Sequence, residues 1–345
     1  MISRAVSIVI FFAALLGTGT FLSEIRPFAT VPVLREKIAW FAAHAHEYDT
    51  LFIGTSRVYR GIKPSVFDEL TAIAGVPTHS FNLGIDAMSP PEDAYVLERF
   101  VALQPKRLRW VFIETGTIRP GVGYGGADNV RSLHWHDAPR TLIALRALLS
   151  LSTRPQKGRK VLTGLADEGT PLARAVTHIQ LWFRRTVNAG RGAAFLEKLL
   201  RPPPRVHLSG VIGKQRDGFM AAGDDRPMAE NDRADYEQRM KQPTRISFVD
   251  RDTQRSLDRM LSRLRGIGAR PILIVPPMAG MSRPHPQVGC EAPVFDYGEI
   301  EKWPGLFQIE HRVDPSHLNA AGADLFTRSI AADFIELARR TAGSR

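Results

Sequence analysis

Apolar residues along this chain recur with two different periods. In VLREKIAWFAAHAHEY, Leu34, Ile38, Phe41 and Ala42 fall near helical spacing, and the short apolar run TLFIG follows at once. The same succession returns as a helix after Pro64, a strand at HSFNLG, a helix from Pro91 to Leu103 and a strand at LRWVFIE. Short apolar runs alternating with amphipathic helices predict an α/β chain built on a central parallel sheet, wound on both faces. Ligands of such sheets bind beyond the carboxyl ends of the strands, where Gly54 to Ser56, Asn82 to Gly84 and Glu114 to Gly116 fall.

The alternation fails from about residue 120 to 245, where GVGYGG, RPPPR and AAGDDRPMAEND interrupt helical stretches around Leu142 and Trp182. That region reads as an insertion or cap. Regularity resumes with a helix marked by Leu257, Met260, Leu261 and Leu264, stopped by Gly266 and Gly268, and then the buried strand PILIV. DPSHLNAAG opens the last amphipathic helix, with Asp314 or Ser316 as its expected cap if the segment is only a helix entry. The segment ARAVTHIQLWF admits two readings. One is a packed helix stripe, the usual role of such spacing, and the other is a face laid on a membrane through Ile179, Trp182 and Phe183.

The N-terminus carries an early cation, Arg4, and then an uncharged run from Ala5 to Leu22, the pattern of a membrane anchor or signal helix. The expected organisation is therefore residues 1–25 as signal anchor and 26–345 as the main domain, anchored to the inner membrane and facing the periplasm. The alternative is secretion after cleavage. Cys290 is the only cysteine, so no intramolecular disulfide supports that domain. Forty-six Lys and Arg against 35 Asp and Glu give a net charge of +11, which suits an anionic partner. No nucleic-acid-binding pattern accompanies the basic segments RPQKGRK and WFRRTVNAGRG, so headgroup-facing or solvated surface is the simpler account and no nucleic acid is expected.

Two motifs carry little. GVGYGG matches G-x-G-x-x-G at Gly121, Gly123 and Gly126, but no apolar helix or second acidic strand follows, so a loop over the site is expected instead of a dinucleotide. HWHD offers His134, His136 and Asp137 without a third distant ligand, which is thin support for a metal.

The stronger constellation is dispersed. A serine hydroxyl becomes a nucleophile when a base, a group orienting that base and oxyanion donors converge on it. Ser56 follows a strand and precedes a helix, where it is either the helix cap or a nucleophile beside free N–H groups. Asp314 lies three residues before His317, close enough to hold its tautomer. Gly84 can turn its N–H toward the same edge. Arg57 and Arg60 read either as clamps for an acidic sugar or as surface partners of Asp68 and Glu69. Glu114 reads as a site group that orients the base or meets substrate, or as a solvated strand end.

At IGTSR, FNLG and DPSHLNAAG the chain resembles the SGNH or GDSL hydrolase superfamily, over most of residues 47–115 and 270–335. The resemblance implies a flavodoxin-like three-layer α/β/α sandwich, with Ser56 as nucleophile, Gly84 and Ser56 lending oxyanion N–H groups, and Asp314 and His317 as the terminal pair. Thr55 stands where the family has aspartate, and FIETGTI stands where it has G-x-N-D. Thr115, Thr117, a backbone N–H near Gly116 or Asn82 are the candidates for the missing asparagine donor. The pattern is similar to the exported, membrane-anchored branch that includes alginate-type polysaccharide O-acetyltransferase-like proteins. That implies a cofactor-free serine esterase or O-acyltransferase working on an acylated glycan or other ester, with a membrane-bound acyl-donor partner. An inactive module that binds polysaccharide or a membrane partner is the alternative.

Overall fold

The structure, a computed structural model, describes residues 2–25, 31–88, 90–116, 130–152, 170–187, 200, 209–222 and 228–343. The chain divides into two compact units, residues 1–32 with 118–205 and residues 33–117 with 206–345. The irregular region of the sequence is thus shared out, 118–205 to one unit and 206–245 to the other.

The larger unit is α/β. Its central sheet contains β1 (Thr50–Ile53), β2 (Ser80–Asn82), β3 (Trp110–Glu114), β5 (Arg270–Val275) and β7 (Val294–Asp296), in the order β2-β1-β3-β5-β7. Every pairing in it is parallel. Counted within the sheet, that is the order 2-1-3-4-5 of flavodoxin-like sheets, and it is compatible with a three-layer sandwich. Two small sheets lie outside it, β4 (Ile246–Phe248) with β6 (Arg283–His285), and β8 (Arg312–Asp314) with β9 (His317–Leu318).

The strands read as continuous apolar runs because both faces are covered. β1, β2 and β3 are buried at every position. On one face Phe52 stacks on Phe112 at 4.7 Å, and Phe67 of α4 (Pro64–Ile73) and Phe334 of the C-terminal helix (Ala320–Gly343) close on them at 5.1 to 5.7 Å. On the other, Phe41 of α2 (Pro32–His44) meets Phe81 of β2 and Phe100 of α5 (Pro90–Ala102). Each such buried ring contributes about 2 kcal/mol by leaving water, so the faces, not strand propensity, hold the layers together.

The smaller unit is helical among the described residues. It comprises α1 (Ile2–Ile25), α6 (Val130–Trp135), α7 (Ala138–Ser152) and α8 (Pro171–Val187), with α8 packed on the other three. No helix of the described residues is long and apolar enough to cross a membrane. α8 departs from the packed-stripe expectation: Ile179, Trp182 and Phe183 are exposed, and the buried side is His178 and Leu181.

Candidate active site

Parallel register brings the strand ends together. Ile53 pairs with Ile113 and Phe52 with Asn82, so the segments after β1, β2 and β3 share the carboxyl edge of the sheet. α3 (Ser56–Gly61) begins there and packs against β9 and the C-terminal helix. That contact places Ser56 Oγ 2.7 Å from His317 Nε2. His317 Nδ1 lies 2.8 Å from Asp314 Oδ2 and 3.0 Å from Oδ1, and the Asp314 carboxylate also accepts the N–H groups of Ser316 and His317. Serine, imidazole and carboxylate therefore form one hydrogen-bonded relay, able to take a proton from the hydroxyl and steady the resulting imidazolium. Burial pushes the Asp314 carboxyl up, but the His317 ring and the two N–H groups outweigh it and hold the carboxyl below its usual range.

Ser56 is not the cap of its helix. Thr55 is, its side chain accepting the Arg57 N–H at 3.3 Å, which leaves the Ser56 hydroxyl for His317. The helix has only six residues, so its dipole adds little. The final helix likewise uses neither Asp314 nor Ser316 as its cap. Asn319 Oδ1 accepts the Gly322 N–H instead.

Several expected roles are corrected by the hydrogen bonds. The Gly84 N–H donates to Asn82 Oδ1 at 2.8 Å and so is engaged inside the turn, not offered to an oxyanion. A side chain at position 84 would collide with the Tyr59 backbone, and that close approach explains the glycine. Asn82 is buried, and its amide donates to the Val58 and Ile62 carbonyls, tying β2 to α3. Thr115 is buried too, with its hydroxyl directed at the Pro284 and Ile274 carbonyls, so neither residue offers a donor to substrate. The Ser56 N–H has no hydrogen bond among the described groups. Thr117 and the loop of Gly121, Gly123 and Gly126 lie outside the described residues.

Glu114 is no solvated strand end. It is 3% exposed, accepts the Thr55 N–H at 2.6 Å and hydroxyl at 3.1 Å, and pairs with Arg57 Nε at 2.8 Å. Its action on the site passes through Thr55, not through the base. Arg57 is therefore matched with Glu114, and Arg60 with Asp86 at 2.8 and 3.0 Å; Asp68 instead binds Ser80 and Thr78. The His134, His136 and Asp137 cluster does not assemble as ligands. His136 pairs with His178, Asp137 with Arg140, and no group of metal-binding side chains occurs among the described residues.

One residue beneath the site escaped the sequence reading. Lys37 of α2 is fully buried, and its ammonium donates to the carbonyls of Asn82, Gly84 and Gly218 at 2.9, 2.6 and 2.9 Å while lying 3.8 Å over the Tyr59 ring. Burial drives its pKa well below the ordinary lysine value, against the pull of Asp86 and Asp217. The signal was its place on the apolar side of α2, three residues after Leu34 and four before Phe41.

No protein-family model matches the chain, and no curated protein matches it.

Proposed function

We propose that the chain is an SGNH-type serine acyl-ester hydrolase or O-acyltransferase acting on an acylated cell-envelope glycan. The observation that carries the reading is the 2.7 Å contact of Ser56 Oγ with His317 Nε2, backed by Asp314 on the far ring nitrogen. In this scheme Ser56 Oγ forms a bond to the ester carbonyl carbon as its proton passes to His317 Nε2. The tetrahedral intermediate collapses when His317 returns that proton to the departing alcohol, leaving an acyl-serine. Water, activated by the same imidazole, completes hydrolysis, and a sugar hydroxyl in its place completes transfer. The Ser56 N–H faces the developing oxyanion. The glycan and the acyl group are suggested by the resemblance at IGTSR, FNLG and DPSHLNAAG alone.

The α1 helix is proposed to attach the chain to a membrane with the larger unit outside the cytoplasm, a reading supported by exposed Val9, Ile10 and Phe11 and by Arg4 ahead of them.

One observation favours the second reading, an SGNH-like module that binds glycan without turnover. With Gly84, Asn82 and Thr115 engaged internally, the oxyanion lacks donors that the family pattern supplies, and each absent donor weakens transition-state binding by about 3 kcal/mol. A serine-directed fluorophosphonate separates the two. The enzyme reading expects covalent labelling that Ser56→Ala abolishes. Failure of the folded wild-type protein to label, together with inertness toward aryl acetates, supports the binding module.

A further inference from the structure

We propose that α8 is an interfacial helix that lies in the headgroup region of an anionic bilayer, beside the point where α1 leaves it. The proposal rests on the reading of α1 as the membrane attachment. Along α8, Leu172, Val176, Ile179 and Phe183 recur at four, three and four residues and form one narrow stripe, all exposed, with exposed Trp182 at its margin. Leu172 is 74% exposed, and the helix presents its other side, His178 and Leu181, to its own unit. A helix normally buries such a stripe. Here the stripe is turned outward.

Charge points to the occupant. Neither α7 nor α8 contains an acidic residue; Arg146 is exposed and Arg184 half-buried, whereas Arg140 is buried against Asp137 and Arg185 donates to the His134 carbonyl. Residues 138–190 hold nine Lys and Arg against two Asp and Glu, a net +7 within the chain total of +11. A protein partner would need only the apolar stripe. An outward apolar stripe with aromatic residues, on a helix pair that contains no acidic residue, fits acyl chains below and phosphate headgroups beside.

Position agrees with charge. α1 meets α8 where Gly19 lies against Thr186, so tightly that a side chain at position 19 would collide with the Thr186 carbonyl. The apolar run of α1 ends at Leu22, three residues past that contact.

The single cysteine makes the test direct. In a Cys290→Ser background, full-length chains carrying an environment-sensitive fluorophore at Ile179→Cys, Val176→Cys, Thr177→Cys or Val9→Cys are reconstituted into phosphatidylglycerol–phosphatidylethanolamine vesicles containing lipids spin-labelled near the headgroup. We expect labels at 176 and 179 to be quenched at least about twofold more than the label at 177 on the neighbouring face, and less when phosphatidylcholine replaces phosphatidylglycerol. Equal quenching at 177 and 179, or quenching at 9 without 179, overturns the interfacial helix and leaves the α1 reading intact. Quenching at 179 without 9 overturns the α1 attachment, and with it the place assigned to α8 beside that helix. A label at 179 that is blue-shifted without lipid and reverts on dilution means that a second copy covers the stripe, which also overturns the proposal.

Discussion

Glu114 grips the residue before the serine, taking both the N–H and the hydroxyl of Thr55. The grip explains the threonine. An aspartate at this position would set a second carboxylate against one whose side chain is only 2% exposed. Like charges in so dry a place cannot both ionise without loss. Thr55→Asp is therefore expected to destabilise the protein by about 2 kcal/mol at neutral pH, as read by denaturant unfolding. Adding Glu114→Gln should recover at least half of the loss. A stable Thr55→Asp protein with Glu114 intact would contradict this account of the turn.

Asp314 ties acid stability to the same relay. Its folded carboxyl titrates below the ordinary aspartate value of 3.8, so its contribution is complete above that value and is lost as pH falls through the lower folded one. The melting-temperature gap between wild type and Asp314→Asn should be open at about pH 5 and should close in stronger acid. In the proposed chemistry the same substitution slows fluorophosphonate labelling by about a hundredfold or more, because the imidazole loses its orienting anion.

Lys37 holds three buried carbonyls. Lys37→Met keeps the packing of the stem but orphans the oxygens of Asn82, Gly84 and Gly218, at an expected loss of about 3 kcal/mol in unfolding free energy. An unchanged melting temperature would show that the cage contributes nothing.

In the helical unit, His136 Nε2 lies 2.8 Å from His178 Nδ1, and burial, opposed by the Ser132 carbonyl, pushes the His136 pKa down from 6.5 to about 4. The unfolded chain thus binds the proton more readily. Stability from the neutral ring is full above 6.5 and falls as pH drops toward 4. Wild type should lose more melting temperature over that window than His136→Gln, which carries no titrating ring there. Parallel slopes for the two proteins would refute the assignment.

Much of the larger unit could be read from the chain because its strands are buried on both faces. TLFIG, LRWVFIE and PILIV announce themselves as uninterrupted apolar runs, and Ser56, Asp314 and His317 lie in breaks of that pattern. β4 had no such signature, since Ile246 and Phe248 are exposed and the strand is three residues long. The engaged state of Gly84 was hidden for another reason. Which atom takes its N–H depends on the rotamer of Asn82, and no periodicity encodes that. Lys37 was passed over and the partners of Glu114 and Arg57 were not legible, because a charged side chain is expected in solvent until its partners are known. Those partners lie 45, 59 and 57 positions away for the bonds to Asn82, Thr55 and Glu114. The outward stripe of α8 has the same spacing as a packed one, so only exposure distinguishes them.

The hydroxyl and the ring that meet at this edge stand 261 positions apart. Ser56 comes early in the larger unit, and His317 waits on a two-residue strand just ahead of the final helix. An extended chain therefore carries the hydroxyl and the imidazole apart, with no contact between them. Their contact is made only with closure of the sheet and docking of the last helix, so in the proposed chemistry a label at Ser56 would serve as a clock for the moment when folding is complete.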